Sequence, residues 1–171
     1  MPQPAILPPR IDPGGLPAAD PADLRPDAEL CGRRLSGVAL TGAKLRGLVL
    51  RECLLEGCTL LSCDLTRVEL LDCQWRGANW DCSILERVRL TGCDLSEGWL
   101  SGCRLRRFEV RDCRFIKTGF FKTDLEGIDF RTCRLEGITV SDTGRELRGA
   151  IVGPEQAVEL ARLLGLVVRW D

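Results

Sequence analysis

Histidine and tyrosine are both absent from this 171-residue chain. Without histidine there is no imidazole to act as a general base, to activate a cysteine or serine nucleophile, or to bind a metal. The glycines form no phosphate-binding loop and no dinucleotide fingerprint. We therefore expect a protein that is not an enzyme and that needs no cofactor or metal.

Net charge is also nearly absent, since 24 basic and 25 acidic residues leave a formal charge of -1. Such a balance excludes a global field that would attract nucleic acid or a membrane surface, and it argues against a strongly acidic mimic of DNA. No apolar run is long enough to span a bilayer, and no signal peptide is recognisable. We expect a cytoplasmic protein without a direct nucleic-acid or membrane partner, in which the cysteines are mostly reduced.

Proline is almost absent after residue 26, because eight of the nine prolines precede that point. Proline is excluded from helix interiors and from central strands. Residues 1–27 are therefore predicted to form an extended, proline-rich arm.

What the rest of the chain has is a repeat of five. Every fifth residue from Leu30 to Val140 is large and apolar, and a second, mostly smaller series lies two residues before each, with Arg33 as its plain violation. A period of five fits neither a helix nor a long strand, but it fits a short extended segment followed by a turn. Each five-residue unit should form one wall of a coil.

The smaller series repeats better at 20 residues than at five, as Cys53, Cys73, Cys93, Cys113 and Cys133 show. Four units therefore make one coil, and stacking at about 4.8 Å places each residue beside the one 20 positions later. Residues 28–142 should form nearly six coils. We label the four walls A to D in chain order, from the units centred on Leu30, Leu35, Leu40 and Leu45.

Several units resemble the pentapeptide-repeat family, whose pattern is a small residue, Asp or Asn, Leu or Phe, a polar residue and any residue. They are CDLTR from Cys63, ANWDC from Ala78, CDLSE from Cys93 and TDLEG from Thr123. The resemblance implies an all-β solenoid, specifically a right-handed quadrilateral β-helix. Many other units depart from the family pattern by carrying Arg, Glu or Thr where it prefers Asp or Asn.

After Val140 the phase of five breaks, and residues 143–171 resemble the C-terminal cap of the family. Pro154 and Gly165 predict a helix over about 154–164 that covers the open end of the stack, with a buried stripe of Val158, Leu160, Leu163 and Leu164. A short strand is predicted at about 166–169. Related proteins often dimerise at this end, which implies a homodimer contact through Leu163, Leu166, Val168 and Trp170.

The cysteines raise the alternative of a metal or redox site. A metal site needs thiolates that converge on one point, whereas the Cys53 ladder is a line, and the parallel Cβ directions of stacked neighbours oppose disulfides. Small, buried apolar packing is the simpler interpretation. Cys31 and Cys82 fall at outward or corner positions and are predicted to be the reactive thiols, so a redox enzyme acting through Cys82 stays open as a third hypothesis.

Wall C carries few charges and three outward apolar side chains, which makes it a candidate protein-contact surface formed by Leu61, Trp99 and Phe121. Two other interpretations stay open: the arm or the C-terminal tail covers these side chains, or they are scattered exposures without consequence.

Walls A and D carry opposite charges. Wall A is mildly acidic, and its candidate acidic surface is Glu29, Glu52, Glu69, Asp72, Glu109, Asp112 and Asp129. Wall D is basic, with Lys44, Arg46, Arg67, Arg87, Arg104, Arg106 and Arg107. Ordinary solvated faces are the alternative for both walls. Arg89 should be a cross-strand neighbour of Glu69 and Glu109.

The best-known activity of the family is mimicry of duplex DNA by acidic, rod-shaped dimers that bind type II topoisomerases and inhibit gyrase or protect it from quinolones. The resemblance therefore implies a protein partner such as DNA gyrase. This chain departs in its balanced charge and in its uninterrupted count of five, which leaves no room for projecting loops. The competing hypothesis is a scaffold protein that binds another protein through wall C.

Overall fold

The structure, a computed structural model, describes residues 6–169 as an all-β solenoid with a C-terminal helix. Three-residue strands recur along the walls because each five-residue unit spends three residues extended and two in a turn. They are β1 (Glu29–Cys31), β2 (Arg34–Ser36), β3 (Ala39–Thr41), β4 (Val49–Arg51), β5 (Leu54–Glu56), β6 (Thr59–Leu61), β7 (Glu69–Leu71), β8 (Ile84–Glu86), β9 (Arg89–Thr91), β10 (Arg104–Arg106) and β11 (Glu109–Arg111).

Parallel pairing at a step of 20 residues builds the four walls. Wall A is the sheet β1-β4-β7-β9-β11, wall B contains β2-β5, wall C contains β3-β6, and wall D contains β8-β10. The five strands of wall A span four full turns. On wall C, isolated bridges continue the same 20-residue step as far as the pair Gly119 and Thr139. The predicted β-helix is confirmed, and the 20-residue step extends through nearly six coils.

The interior is filled by the two apolar series. Cys53, Cys73, Cys93, Cys113 and Cys133 are each no more than 1% exposed, and they are free thiols. The indoles of Trp75 and Trp80 pack edge to face with centroids 5.0 Å apart. Burial of such apolar surface is the main stabilising contribution to a stack whose individual coils could not fold alone.

The last repeat leads into the cap through a modified coil. Leu125 N donates to Glu146 O, and Phe130 N donates to Ile151 O at 2.8 Å, so the step from donor to acceptor lengthens from 19 residues in the regular coils to 21 at these two points. The α-helix α1 follows over Pro154–Leu163. No helix among residues 6–169 is long and apolar enough to cross a membrane.

The predicted buried stripe of this helix was wrong. Val158 and Leu160 are half-buried, Leu163 and Leu164 are 41% and 59% exposed, and the buried helical residue is Gln156. Its side-chain amide donates to the carbonyl oxygens of Phe130 and Cys133, and its Oε1 accepts from Gly153 N. The open end of a coil exposes backbone carbonyls as well as apolar surface, and a glutamine satisfies them.

The strand predicted at about 166–169 was also wrong. Gly165 takes the left-handed conformation at φ 76°, and Leu166 N donates back to Ala161 O at 3.1 Å. This C-terminal turn uses the backbone donor that a strand would need, and residues 166–169 form no strand.

The proline-rich arm folds back over the solenoid, onto wall B. Ala18 bridges in parallel to Arg34, and a short 3-10 turn at Pro21–Asp23, capped by Asp20, leads into the first coil. Nearer the N-terminus of the arm, Arg114 Nη1 donates to Ile6 O and Gln74 Nε2 donates to Pro9 O. The alternative that the arm covers the apolar side chains of wall C is therefore excluded for residues 6–27.

Candidate functional site

Two half-exposed aromatic side chains lie on adjacent coils of wall C. Trp99 is 50% exposed and Phe121 is 45% exposed. Residues at the same position of successive coils, 20 apart in sequence, form a column. Trp99 belongs to the column of Asn79, Trp99, Gly119 and Thr139. Its indole lies across Gly119, since a Cβ atom added there would be 2.6 Å from Trp99 Cε3. The ring therefore reaches the coil that carries Phe121, two residues beyond Gly119.

The third predicted contact residue, Leu61, is not beside them. Leu61 shares the outward column of Phe121, but three coils separate the two, a distance of about 14 Å at the inter-strand spacing. Asp81 and Ser101 occupy the intervening coils, and Leu61 is half-buried. The structure thus brings Trp99 and Phe121 together on the C-terminal half of wall C and leaves Leu61 on the N-terminal half.

A cavity of about 750 Å3 adjoins Phe121 on the side of the cap. Its lining carries three cationic residues, Lys122, Arg145 and Arg148, and three acidic ones, Asp124, Glu126 and Glu146. The ammonium of Lys122 lies 5.2 Å from the centroid of the Phe121 ring, within range of a cation–π interaction. The C-terminal edge of the aromatic surface is therefore a border of mixed charge.

Glu146 anchors this border. It is 5% exposed, and its carboxylate accepts from Lys122 N at 2.9 Å and from Ser141 Oγ at 2.7 Å. Burial raises the pKa of Glu146, but these hydrogen bonds outweigh burial and hold the pKa below its ordinary value. Glu146 therefore stays ionised and fixes the modified coil to the last repeat.

The acidic residues of wall A do not form a continuous stripe. Glu29 pairs with Arg51 at 3.3 Å, Glu109 with Arg89 at 3.3 Å, and Asp129 with Arg131 at 2.7 Å. The hydrogen bonds from Arg131 lower the pKa of Asp129 to about 2.

The other four acidic residues are dispersed. Glu69 is half-buried, Asp112 is exposed at a corner, and Glu52 and Asp72 line a cavity beneath the arm. Arg89 is in register with both Glu69 and Glu109, as predicted. Wall A is thus a patchwork of both signs.

Wall D places three arginines one above another at its corner with wall A. Arg67, Arg87 and Arg107 all adopt the left-handed conformation, with φ of 59°, 56° and 50°, and all are exposed. This basic column lies next to wall A, so the negative potential of wall A is reduced further.

The cysteines show no sign of a metal site. Cys31 and Cys82 are exposed and the other eight are buried. Burial raises the pKa of Cys103 to about 12. Within residues 6–169 no cluster of three or more Cys, Asp or Glu could hold a metal ion. The reactivity of Cys31 and Cys82 stays a prediction.

The predicted dimer surface at the cap is apolar and accessible. Leu166 and Val167 are 59% and 82% exposed, next to Leu163 and Leu164, while Val168 is half-buried. Trp170, the fourth predicted contact, lies outside the described residues.

Sequence reasoning missed two features. The first is Gly119, whose small size in an outward position was the available signal for a side chain lying across it. The second is the set of wall B residues under the arm, Gln74, Asp94 and Arg114, which no repeat pattern could have indicated.

Comparisons with known proteins agree on the repeat and the fold. Residues 34–72 and 70–107 match the family of pentapeptide repeats, with eight copies. A trypsin-treated variant of QnrB1, described as a plasmid-mediated fluoroquinolone resistance protein, aligns with a TM-score of 0.59 at 15% identity and covers 84% of this chain and 91% of that chain.

Two further pentapeptide-repeat structures align more weakly. A protein of the Arabidopsis thaliana thylakoid lumen is 20% identical over 67% of this chain and 76% of that one, with a TM-score of 0.30. Rfr23 from the cyanobacterium Cyanothece 51142 is 15% identical over 73% and 91%, with a TM-score of 0.27. Scores this low support no inference. A search of curated proteins gave no significant match.

Proposed function

We propose that this chain, whose residues 34–107 match pentapeptide repeats, is a non-enzymatic interaction protein whose solenoid presents a surface to another macromolecule. The observation that carries the proposal is the pair Trp99 and Phe121, half-exposed on adjacent coils of wall C. Tryptophan and other aromatic side chains are enriched among the residues that dominate binding energy.

The surroundings of the pair favour a protein partner. Asn79, Ser101 and Thr139, which flank the aromatics on wall C, are uncharged, so covering this surface desolvates little charge. The C-terminal edge carries both signs, with Lys122, Arg145 and Arg148 beside Asp124, Glu126 and Glu146. A partner with an apolar centre and polar groups that match this mixed-charge edge would fit both features.

Partner capture tests this proposal. Immobilised wild-type chain should retain a specific protein from the native lysate, and the double variant Trp99→Ser, Phe121→Ser should lose it at least tenfold. The matched control is Ile84→Ser, which removes another exposed apolar side chain, 38% exposed, from wall D. Equal capture by all three proteins would remove wall C from consideration.

A second candidate is binding to DNA gyrase with protection from quinolones. The likeness of the solenoid to QnrB1 favours it. Duplex DNA carries one negative charge per roughly 1.7 Å of its axis, whereas wall A alternates signs, so this candidate lacks the electrostatic match expected of a DNA mimic. Purified protein at micromolar concentration should inhibit gyrase supercoiling or rescue it from ciprofloxacin. The absence of both effects would eliminate the candidate.

A further inference from the structure

The arm covers a defined groove on wall B. Gln74 Nε2 donates to Pro9 O at 2.5 Å, and Arg114 Nη1 donates to Ile6 O at 2.8 Å. Three outward side chains of the same wall, Leu54, Asp94 and Ser96, are only 6%, 3% and 3% exposed. On walls A, C and D, outward side chains are exposed or half-buried, so the low exposure of these three marks a covered part of wall B.

The spacing of the two donors matches a polyproline II helix. Gln74, Asp94 and Arg114 occupy successive coils of one column. Gln74 and Arg114 are therefore about 9.6 Å apart along the stack. A polyproline II helix has three residues per turn and rises about 3.1 Å per residue, so carbonyls three residues apart face the same side at about 9.3 Å. Ile6 and Pro9 are three residues apart in the sequence.

Exposure along the arm follows the same period. Ile6 and Pro9 are half-buried, while Leu7 between them is 63% exposed and Pro8 is exposed. Wall B thus contacts one face of an arm segment that repeats every three residues, through both the carbonyls and the side chains of that segment.

Arg114 is held in place for this contact. Its Nε lies 3.6 Å from the Oδ2 of the buried Asp94, and Asp94 Oδ1 accepts from Ser96 N at 3.0 Å. This ion pair keeps the guanidinium beside Asp94, while Nη1 donates to the arm. Because Arg114 Nε makes no hydrogen bond among the described residues, the ion pair with Asp94 and the bond to Ile6 O together place the guanidinium.

The arm fits the groove loosely. The arm turns at Asp12, which accepts hydrogen bonds from Gly14 N and Gly15 N. Before this turn, Gln74 and Arg114 donate the hydrogen bonds that tie residues 6–11 to the wall. A cavity of about 550 Å3 remains between the arm residues Pro9 and Arg10 and the corner residues Glu52 and Asp72. The two hydrogen bonds are partly buried, but each replaces a bond to water and so contributes little net free energy, and a ligand with more contacts can displace the arm.

We propose that wall B is a recognition surface for an extended, proline-rich segment of a partner protein, and that the chain's own arm occupies it as an intramolecular competitor. The segment presents an apolar residue and a proline three positions apart, followed by a basic residue that faces Glu52 and Asp72, as Ile6, Pro9 and Arg10 do in the arm. This surface is separate from Trp99 and Phe121, and its test does not depend on the function of wall C.

The experiment uses a fluorescent peptide with the sequence of residues 6–16, ILPPRIDPGGL. Its anisotropy is measured against the full chain in two forms, wild type and the arm-loosened variant Ile6→Asp, Pro9→Gly. Because a tethered competitor has a high effective concentration, the loosened form should bind the peptide at least tenfold more tightly than wild type. A peptide carrying the same two substitutions should bind neither form.

Two wall variants are then added separately to the loosened chain. Gln74→Leu removes one donor, and Arg114→Lys removes the other while keeping a positive charge beside Asp94. Each should weaken peptide binding about fivefold or more, which is the effect of losing one hydrogen bond of ordinary strength. Arg104→Leu on wall D is the matched control and should bind like its parent. Circular dichroism and thermal melting confirm that each variant is folded.

Three results would overturn the proposal: no peptide binding by the folded, loosened chain; binding that Gln74→Leu and Arg114→Lys leave unchanged; or light scattering that shows wild-type dimers lost on loosening the arm. The last result would assign the groove to the arm of a second copy.

Discussion

On wall C a single glycine decides how the exposed tryptophan is held. The six-membered ring of the Trp99 indole packs against Gly119, a space that a side chain at position 119 would fill. A pre-oriented aromatic side chain loses less conformational entropy on binding than a mobile one. At the scale of the residue, the candidate contact surface is therefore Trp99, Gly119 and Phe121 together.

Gly119→Ala should displace the ring without unfolding the chain. Gly119 has no left-handed backbone, so alanine adds no backbone strain, but its Cβ would lie 2.6 Å from Trp99 Cε3. We expect a change in unfolding free energy below about 1 kcal/mol together with stronger acrylamide quenching of Trp99 fluorescence. Because the chain has four tryptophans, the contribution of Trp99 is identified as the fluorescence that the variant Trp99→Phe lacks. Unchanged quenching would show that the ring does not depend on the glycine.

Glu146 predicts a dependence of stability on pH. Its pKa in the folded state lies below the ordinary value of 4.5. The carboxylate therefore stabilises the fold fully above that value, and this contribution is lost as the pH falls through the lower, folded-state pKa. Glu146→Gln should reduce the fall in unfolding temperature on acidification, and Glu126→Gln, an exposed neighbour in the same cavity, should retain it. Identical acid profiles for wild type and Glu146→Gln would contradict the assignment.

Among the elements, α1 is attached to the stack more by hydrogen bonds than by apolar burial. Gln156 bonds two carbonyls of the last coil and the backbone at the start of its own helix, while Leu163 and Leu164 are exposed. The helix therefore closes the end of the solenoid and still presents an apolar surface outward.

Gln156→Leu should destabilise the chain by about 2 kcal/mol or more, because it leaves buried carbonyls and a buried N–H without partners. Urea unfolding followed by circular dichroism measures the change. Ala157→Ser, at the next and exposed helical position, should alter stability by less than about 0.5 kcal/mol. A leucine variant as stable as wild type would mean that apolar contacts alone hold the cap.

The repeat was predictable from the sequence because every fifth residue is apolar and points into the core, as Leu35, Trp80 and Phe120 do. The step of 20 also placed Trp99 and Phe121 on one wall. It could not place the arm, since prolines restrict the backbone without selecting a wall. Nor could apolar periodicity identify Gln156, because a polar residue was required where carbonyls end the stack.

At the scale of the whole molecule, the four walls differ in chemistry. Wall A is a mixed-charge face, wall B is covered by the arm, wall C carries the aromatic pair, and wall D is basic. A near-neutral rod with four distinct faces suits selective contacts with proteins better than imitation of a uniformly charged polymer.

The exposed apolar end of the cap predicts self-association. Leu163, Leu164, Leu166 and Val167 form a contiguous stretch of sequence with exposed side chains, and such surfaces favour burial against a second copy. Light scattering should give a dimer for wild type and a monomer for Leu163→Asp, Leu166→Asp. The control Leu7→Asp, an exposed apolar residue of the arm, should remain dimeric. If the wild-type chain were monomeric at high concentration, the predicted dimer would be contradicted.

The central claim, that a protein partner docks on the C-terminal half of wall C, is tested most directly by site-specific photocrosslinking. A photoreactive side chain replaces Ser101, one coil below Phe121 in the same column, or Arg106 on wall D. The account predicts a crosslinked partner from position 101 that disappears in the Trp99→Ser, Phe121→Ser background. A partner crosslinked from position 106 and not from position 101 would contradict it.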